Sequence, residues 1–209
     1  MSTISELRDS LDGPSQEYRT KQLHPVPEVG VVDRSRFIIE RCKDKYVLDI
    51  GATGPMHEAI CEVAKWCYGV SKPSASGVQS DVVSPNRYTE YIDLDLNPSA
   101  IPVVNHVEVV VCGEVIEHLS NPGHFLSRLR QTYKCPIIIT VPNAFGDGGR
   151  KLLDVQGLEN CNVDHVAWYS HRTIKTLLER HGFAIKEFYW YGHKGQRPKF
   201  SEGLIVVTE

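Results

Sequence analysis

Short apolar runs alternate with amphipathic stretches along most of this 209-residue chain. Five runs have the length and apolar character of buried strands: Tyr46 to Ile50, Trp66 to Val70, Tyr91 to Leu94, Val107 to Cys112 and Pro136 to Val141. Helical spacing of apolar residues occupies positions 32–43, 57–65 and 121–133. Strands that alternate with helices predict βαβ units, and right-handed crossovers then make a doubly wound, Rossmann-like α/β fold.

The end of the chain departs from this alternation. A helix is predicted over residues 171–181, and the apolar segments 183–191 and 204–208 follow it without another helix between them. The connector GHKGQRPKFSEG is rich in turn residues, which favours an antiparallel hairpin at the sheet edge. The whole pattern predicts a mostly parallel seven-stranded sheet with a C-terminal antiparallel hairpin.

The chain is expected to form one domain, because 209 residues leave no room for a second full one. Residues 1–31 are polar and punctuated by glycine and proline, so we expect an N-terminal arm or cap before a domain at 32–209. The glycine-containing insertion at 145–162 is expected to act as a lid over the acceptor.

The net charge and the apolar content of the chain limit the kinds of partner that we expect. The net charge of −3 and the pI near 6.3 create no global attraction to nucleic acid, which favours a small-molecule or glycan acceptor. No apolar run approaches the ~18 residues of a membrane-spanning helix, and the first residues do not resemble a signal peptide. We therefore expect a cytoplasmic protein without membrane insertion, and its oligomeric state stays open.

The six cysteines show no spacing typical of a redox or zinc motif. They are scattered along the chain and include no CxxC pair. We expect them to be reduced thiols, and those at the ends of apolar runs to pack as small hydrophobic residues.

A glycine loop provides the first functional signal. The segment VLDIGATG (47–54) is an apolar strand that runs into small residues and then into a helix. Such a loop lets a ligand approach the backbone at the carboxyl end of a strand, where open α/β sheets bind ligands. A tight turn without function would have the same composition.

This segment resembles the first motif of class I S-adenosylmethionine-dependent methyltransferases, [DE]-x-G-x-G-x-G. Asp49 and Gly51 match it, and Ala52-Thr53-Gly54 resembles the rest of the loop shortened by one residue. Residues 112–130 are similar to the segment after the family's fourth strand, 137–143 to its fifth strand, and 164–187 to its last helix and sixth strand. The resemblance extends over residues 46–209.

The resemblance implies that S-adenosylmethionine is bound at the ends of the first four strands. The implied cofactor-binding residues are Asp49, Gly51, Ala52, Thr53, Gly54, Ser71, Asp93, Leu94, Gly113 and Glu114. Ser71 stands where the family has an acidic ribose ligand, so Asp81 in the following loop is an alternative partner for the ribose. Asp93 is expected beside the adenine, although it could instead only cap a turn before Asn97-Pro98.

Two carboxylates and two histidines suggest a metal site. Glu114, Glu117 and His118 lie at i, i+3 and i+4, so a helical turn would place them on one face, and His165 is expected in the facing loop. The set resembles that of small-RNA 3′-terminal 2′-O-methyltransferases and related ubiquinone-pathway O-methyltransferases. This implies a magnesium or manganese ion that holds two adjacent hydroxyls. Without a metal, His118 or His165 would be the catalytic base, or His118 a packing residue.

The function expected from these features is methyl transfer to an oxygen of a small, hydroxyl-rich acceptor such as a sugar, a glycan end or a catechol. Methylation of the 2′ oxygen at an RNA 3′ end is the alternative within enzymes. A non-catalytic cofactor-binding module is the alternative of another class, and it is suggested by Ser71 and the shortened loop.

Overall fold

One eight-stranded sheet forms the centre of the molecule in the computed structural model, which describes residues 25–73, 86–193 and 197–209. The strands are β1 (Val31–Val32), β2 (Tyr46–Ile50), β3 (Trp66–Ser71), β4 (Arg87–Tyr91), β5 (Val109–Gly113), β6 (Ile137–Pro142), β7 (Ile185–Tyr191) and β8 (Gly203–Thr208). The α-helices in these ranges are α1 (Arg34–Cys42), α2 (Gly54–Val63), α3 (Pro122–Thr132), α4 (Asp147–Gln156) and α5 (His171–Arg180). Short 3₁₀ turns lie at Pro98–Ala100, Ile116–His118 and Pro198–Phe200.

The strand order is β1-β7-β8-β6-β5-β2-β3-β4, and every pairing is parallel except those of β8. The predicted Rossmann-like sheet with a C-terminal antiparallel hairpin is confirmed. Two details differ from the sequence prediction. The two-residue strand β1 adds an eighth member by pairing with the end of β7, and β8 is an inner strand between β6 and β7 rather than an edge.

Polar caps set the starts of three helices, close to where the sequence predicted these helices. The Asp33 carboxylate accepts the Arg36 backbone N–H at 2.8 Å, and the Asn121 side chain accepts that of His124 at 3.1 Å. Ser170 forms a capping box with Thr173 at the start of α5. Each cap satisfies a backbone N–H that has no partner within the helix.

The third parallel strand lies earlier than predicted, at Arg87–Tyr91 rather than Tyr91 to Leu94. This strand is at the sheet edge, and its side chains are half-buried or exposed, so it has no apolar run to identify it. Leu94 is buried although it follows the strand, because it packs into the core beyond the end of β4.

Helix α4 lies within the insertion at 145–162, where the sequence predicted only a mobile lid. None of its residues is buried, so it has no apolar stripe against the core. Gly157 ends it in the left-handed conformation with φ 65°, and its N–H donates to the carbonyl of Leu153. Among the described residues, no helix has the length and apolar character needed to cross a membrane.

The core forms two layers, one on each face of the sheet. Successive residues of β5 alternate between them: Val109 and Val111 pack with α1 and α2, whereas Val110 and Cys112 pack with α3 and α5. This alternation follows from the two-residue period of a strand and requires helices on both faces. The layers hold the carboxyl ends of β2 and β5 side by side.

The last residues of the predicted N-terminal arm pack against the sheet. The indole N–H of Trp190 donates to the carbonyl of Pro27 at 3.2 Å, and Val29 and Val31 contact the core. Residues 1–24 of the arm lie outside the described residues. The boundary between arm and domain at residues 31 and 32 stays a prediction.

Truncating Phe125 tests the layer under α3. Phe125 is 0% exposed, so Phe125→Ala should leave a cavity and lower the free energy of unfolding by about 3–5 kcal/mol. Val103→Ala is the control, because Val103 is 74% exposed and should change stability by no more than about 0.5 kcal/mol. Urea denaturation measures both, and equal effects would contradict this description of the core.

Candidate functional site

A cleft opens at the carboxyl ends of β2, β3 and β5 and encloses about 490 Å³. The chain runs outward from β2 to β4 and then returns to place β5 on the other side of β2. Such a reversal of strand order leaves a crevice in which open α/β sheets bind their ligands. The volume is within the range of small-molecule and cofactor sites, roughly 300–1,000 Å³.

Gly51 brings the loop after β2 close to the segment after β5. Its φ is 88°, and a Cβ there would lie 2.6 Å from Val115 Cγ2 and 3.2 Å from the Gly113 carbonyl oxygen. The backbone N–H groups of Gly51 and Ala52 both donate to the Val70 carbonyl at 2.9 Å. Glycine is therefore required at position 51 by backbone conformation and by space.

The cleft is lined by eight of the ten cofactor residues expected from the sequence: Asp49, Gly51, Thr53, Ser71, Asp93, Leu94, Gly113 and Glu114. Ala52 is a buried residue of the loop, and Gly54 begins α2 with φ 62°; neither lines the cleft. The expected set is thus brought together around one cavity, and its role in cofactor binding stays a proposal.

Ser71 and Asp93, the residues expected to bind the ribose and the adenine, differ in their surroundings. Ser71 is buried at the end of β3 and lines the cleft, whereas Asp81 lies outside the described residues. Asp93 lines the cleft, and its Oδ1 also accepts the backbone N–H groups of Asp95 and Leu96 at 3.0 Å. The turn-capping role considered for Asp93 is therefore present together with its position at the cavity.

Asp49 has a partner that the sequence did not reveal. Its buried carboxylate accepts a hydrogen bond from His57 Nδ1 at 2.7 Å, eight residues further along the chain on α2. Burial lowers the pKa of His57, but the hydrogen bonds with Asp49 and Cys61 outweigh it and raise that pKa to about 9.

The predicted one-faced arrangement of Glu114, Glu117 and His118 is wrong. The 3₁₀ turn begins only at Ile116, and Glu114 precedes it in the left-handed conformation with φ 55°. Glu114 Oε1 accepts hydrogen bonds from Thr140 and Tyr191, each at 2.9 Å, and lies 3.3 Å from an Arg34 guanidinium nitrogen. These contacts direct Glu114 Oε1 toward β6 and β7 rather than toward His118.

Glu117, His118 and His165 do come together. One ligand atom from each lies within 4.8 Å of the others. Glu117 is 0% exposed, and neither of its carboxylate oxygens has a hydrogen-bond partner among the described residues. The buried Nδ1 of His165 also has none there.

The electrostatics of this cluster follow from its burial. Burial and the nearby negative charge of Glu114 raise the pKa of Glu117 to about 8. Burial and the neighbouring His118 lower the pKa of His165. The two imidazole rings are 4.6 Å apart between centroids and meet edge to face. An ionised Glu117 is therefore costly unless a positive charge joins it.

Backbone contacts hold His165 against this cluster. The N–H groups of Val166 and Ala167 both donate to the Glu117 carbonyl, at 2.8 and 3.2 Å. The Tyr169 hydroxyl donates to the carbonyl of Ile116 at 3.3 Å. The loop facing β5 is thus attached to the segment after β5, as the sequence predicted for His165.

A family model for the methyltransferase domain matches residues 33–187. The chain belongs to this family. It is a class I S-adenosylmethionine-dependent methyltransferase, as its motifs predicted, and S-adenosylmethionine is its methyl donor.

Solved structures share the fold of this methyltransferase at low sequence identity. The small RNA methyltransferase HEN1 has a TM-score of 0.65 and 15% identity, over 90% of this chain but 27% of its own. Magnesium protoporphyrin IX methyltransferase from Synechocystis PCC 6803, with bound S-adenosylhomocysteine, has a TM-score of 0.59 and 14% identity over 83% of this chain and 80% of its own. A methyltransferase from Archaeoglobus fulgidus has a TM-score of 0.57 and 14% identity, over 83% and 93%. No curated protein compared with this chain matches it.

Substituting Gly51 tests the cofactor loop. Gly51→Ala should weaken the binding of S-adenosylhomocysteine by at least about tenfold, a loss of about 1.4 kcal/mol, because the new Cβ would displace Val115 or the loop. Calorimetry measures the affinity.

Gly157→Ala is the matched control. Gly157 has a φ of 65° but no atom within 4 Å of its virtual Cβ, and it does not line the cleft. It should introduce a similar backbone strain and leave the affinity unchanged. Equal affinities of the wild type and Gly51→Ala would remove the loop from the cofactor site.

Proposed function

We propose that this methyltransferase transfers a methyl group to a hydroxyl oxygen of a small, hydroxyl-rich acceptor beside Glu117, His118 and His165, with a divalent cation bound at these residues. The observation that carries the proposal is the fully buried Glu117 carboxylate, which has no hydrogen-bond partner among the described residues and lies next to two imidazoles. An uncompensated carboxylate in the core is expensive, and a cation would offset that cost.

The donor chemistry of the three side chains fits a divalent cation. A carboxylate oxygen and two imidazole nitrogens suit manganese, and magnesium where water and acceptor oxygens complete the set. Glu114 would not join through Oε1, which is held by Thr140, Tyr191 and Arg34, but its charge favours a cation nearby. When bound, such an ion lowers the pKa of an acceptor hydroxyl and orients it.

His118 connects this cluster to the cofactor cleft. It lines the same cavity as Gly51 and Gly113, whereas Glu117 and His165 do not line it. A hydroxyl held at the cluster would therefore face the methyl group of the donor. Without a cation, His118 would instead be the base that accepts the proton of this hydroxyl. The glycine loop would fix the donor, so that both reactants meet in one cavity.

The acceptor would enter past the insertion and the loop that follows it. Phe145, Leu153 and Leu158 of the insertion are exposed, and Trp168 beside His165 is 39% exposed. Apolar and aromatic surfaces of this kind suit the ring of a sugar or a catechol. These residues are where we place acceptor specificity.

An RNA 3′ end is the second candidate, because its terminal ribose also presents two adjacent hydroxyls. The structural neighbour HEN1 is a small RNA methyltransferase, which motivates the comparison. The net charge of −3 disfavours RNA as the acceptor, because phosphate contacts require clustered lysines and arginines. A tritium-transfer assay with a catechol, a methyl glycoside and an RNA oligonucleotide with a free 3′ diol separates the two.

Manganese binding tests the proposed cation. We expect the wild type to bind one Mn²⁺ per chain and Glu117→Gln to bind it at least about tenfold more weakly, because the amide removes the only carboxylate of the cluster. Glu58→Gln, at an exposed position of α2, is the control and should bind as the wild type does. Electron paramagnetic resonance of free Mn²⁺ gives the affinities, and unchanged binding by Glu117→Gln would refute the site.

His118→Ala tests the contribution of His118 to turnover, either as a ligand of the cation or, without a cation, as the base. Turnover of the best acceptor in the tritium-transfer assay should fall by about 10²-fold or more, the scale of general base catalysis, while the melting temperature stays within about 2 °C. His124→Ala, at an exposed position of α3, should keep full turnover. A fully active His118→Ala would exclude His118 from the mechanism, and loss of turnover with His124→Ala would show that the assay reports on stability.

A further inference from the structure

A second cluster of metal-ligating side chains, separate from that of Glu117, lies beside the cofactor cleft, which its member His57 helps to line. His57 and Cys61 are four residues apart on α2 and so face the same way, and Cys67 is the second residue of the adjacent strand β3. Their exposed fractions are 7%, 5% and 0%. The helix, the strand and the short turn between them thus bring one imidazole and two thiols together inside the core.

The spacing of the three ligand atoms suits a tetrahedral ion. They all lie within 4.8 Å of one another, and His57 Nε2 is 3.5 Å from Cys61 Sγ. With zinc bonds of about 2.3 Å to sulfur and about 2.0 Å to nitrogen, a tetrahedral angle places these two atoms about 3.5 Å apart. The observed separation therefore needs little adjustment to admit an ion.

His57 has the outer partner that metal-binding histidines use. Its Nδ1 lies 2.7 Å from Asp49 Oδ2, which leaves Nε2 facing the two thiols. A carboxylate that accepts the second ring N–H fixes the orientation of the ring and makes the other nitrogen a better ligand. An ion at Nε2 would replace a proton there and leave the bond to Asp49 in place.

The surroundings provide room for the ring and for a fourth ligand. A Cβ at Gly69 would lie 2.8 Å from His57 Cε1, so the imidazole occupies space that only glycine leaves free. Thr89 Oγ1 is 3.5 Å from Nε2 on the neighbouring strand β4. This hydroxyl oxygen, or a water, would be the fourth ligand.

We propose that His57, Cys61 and Cys67 bind one zinc ion that supports the cofactor loop. Two thiolates and one Zn²⁺ sum to zero charge, which suits a buried position, and sulfur ligands select zinc over magnesium or manganese. The ion ties α2 to β3 and holds Asp49, which lines the cofactor cleft, through His57. Its role is to position Asp49, and it is separate from the oxygen-containing Glu117 cluster.

Metal analysis of the full chain tests this proposal. Protein expressed with added zinc and passed through a desalting column should carry one zinc per chain by plasma mass spectrometry. Cys67→Ala should carry almost none. Cys42→Ala removes another thiol that is 0% exposed, outside the cluster, and should keep the ion. Glu117→Gln should also keep it, which separates this site from the proposed catalytic cation.

Cobalt substitution keeps the test valid if Cys67→Ala fails to fold. Wild-type protein refilled with Co²⁺ should show near-ultraviolet sulfur-to-cobalt charge transfer and the visible bands of tetrahedral coordination. Removing zinc from the wild type should lower its affinity for S-adenosylhomocysteine by about tenfold or more, which is the scale of effect when an outer-shell partner of a metal site is lost. Two results would overturn the proposal. One is a wild type that carries no zinc and shows no charge transfer with Co²⁺, and the other is a native Cys61–Cys67 disulfide found by peptide mass spectrometry.

Discussion

The parallel pairing of β2 with β5 is the constraint on which the site depends. Asp49 pairs with Val111 and Ile50 with Cys112, so the loops after the two strands emerge side by side. At that point there is no space for a Cβ on Gly51, and the loops meet through backbone and Val115. The crevice thus follows from strand order, since these strands become neighbours only because the chain reverses direction across the sheet.

Two buried carboxylates near this crevice are stabilised in different ways. Asp49 has a histidine partner, whose hydrogen bond keeps the pair together inside the core. Glu117 has no such partner among the described residues, and burial together with Glu114 raises its pKa. A protein has no reason to retain an unpaired buried carboxyl for stability, because an apolar side chain of similar size would cost less. This contrast favours a bound cation at Glu117.

Much of the fold was predictable because buried strands appear in the sequence as apolar runs. Three of the helices also begin directly after a polar residue whose side chain caps them. The half-buried edge strand β4, the two-residue β1 and the surface helix α4 carry neither signal. At the site, the ordered motifs predicted the cleft-lining positions. The left-handed backbone conformation of Glu114 could not be predicted, because the i, i+3, i+4 spacing places these side chains on one face only if the residues form a helical turn. The cluster of His57, Cys61 and Cys67 could not be predicted either, because these residues meet only when α2 packs on β3.

The donor and acceptor ends of the cleft are held by separate parts of the chain. The proposed donor end rests on Asp49 and the glycine loop, and the hydrogen bond from His57 connects Asp49 to α2. The proposed acceptor end rests on the segment after β5 and on the loop of His165, which is attached through the Glu117 carbonyl. The two supports meet where Val115 packs against Gly51, so a substitution at that contact should affect both ends, whereas substitutions distant from it should act independently. Under the proposed function, acceptor specificity can diverge at residues 145–168 while the glycine loop keeps its geometry.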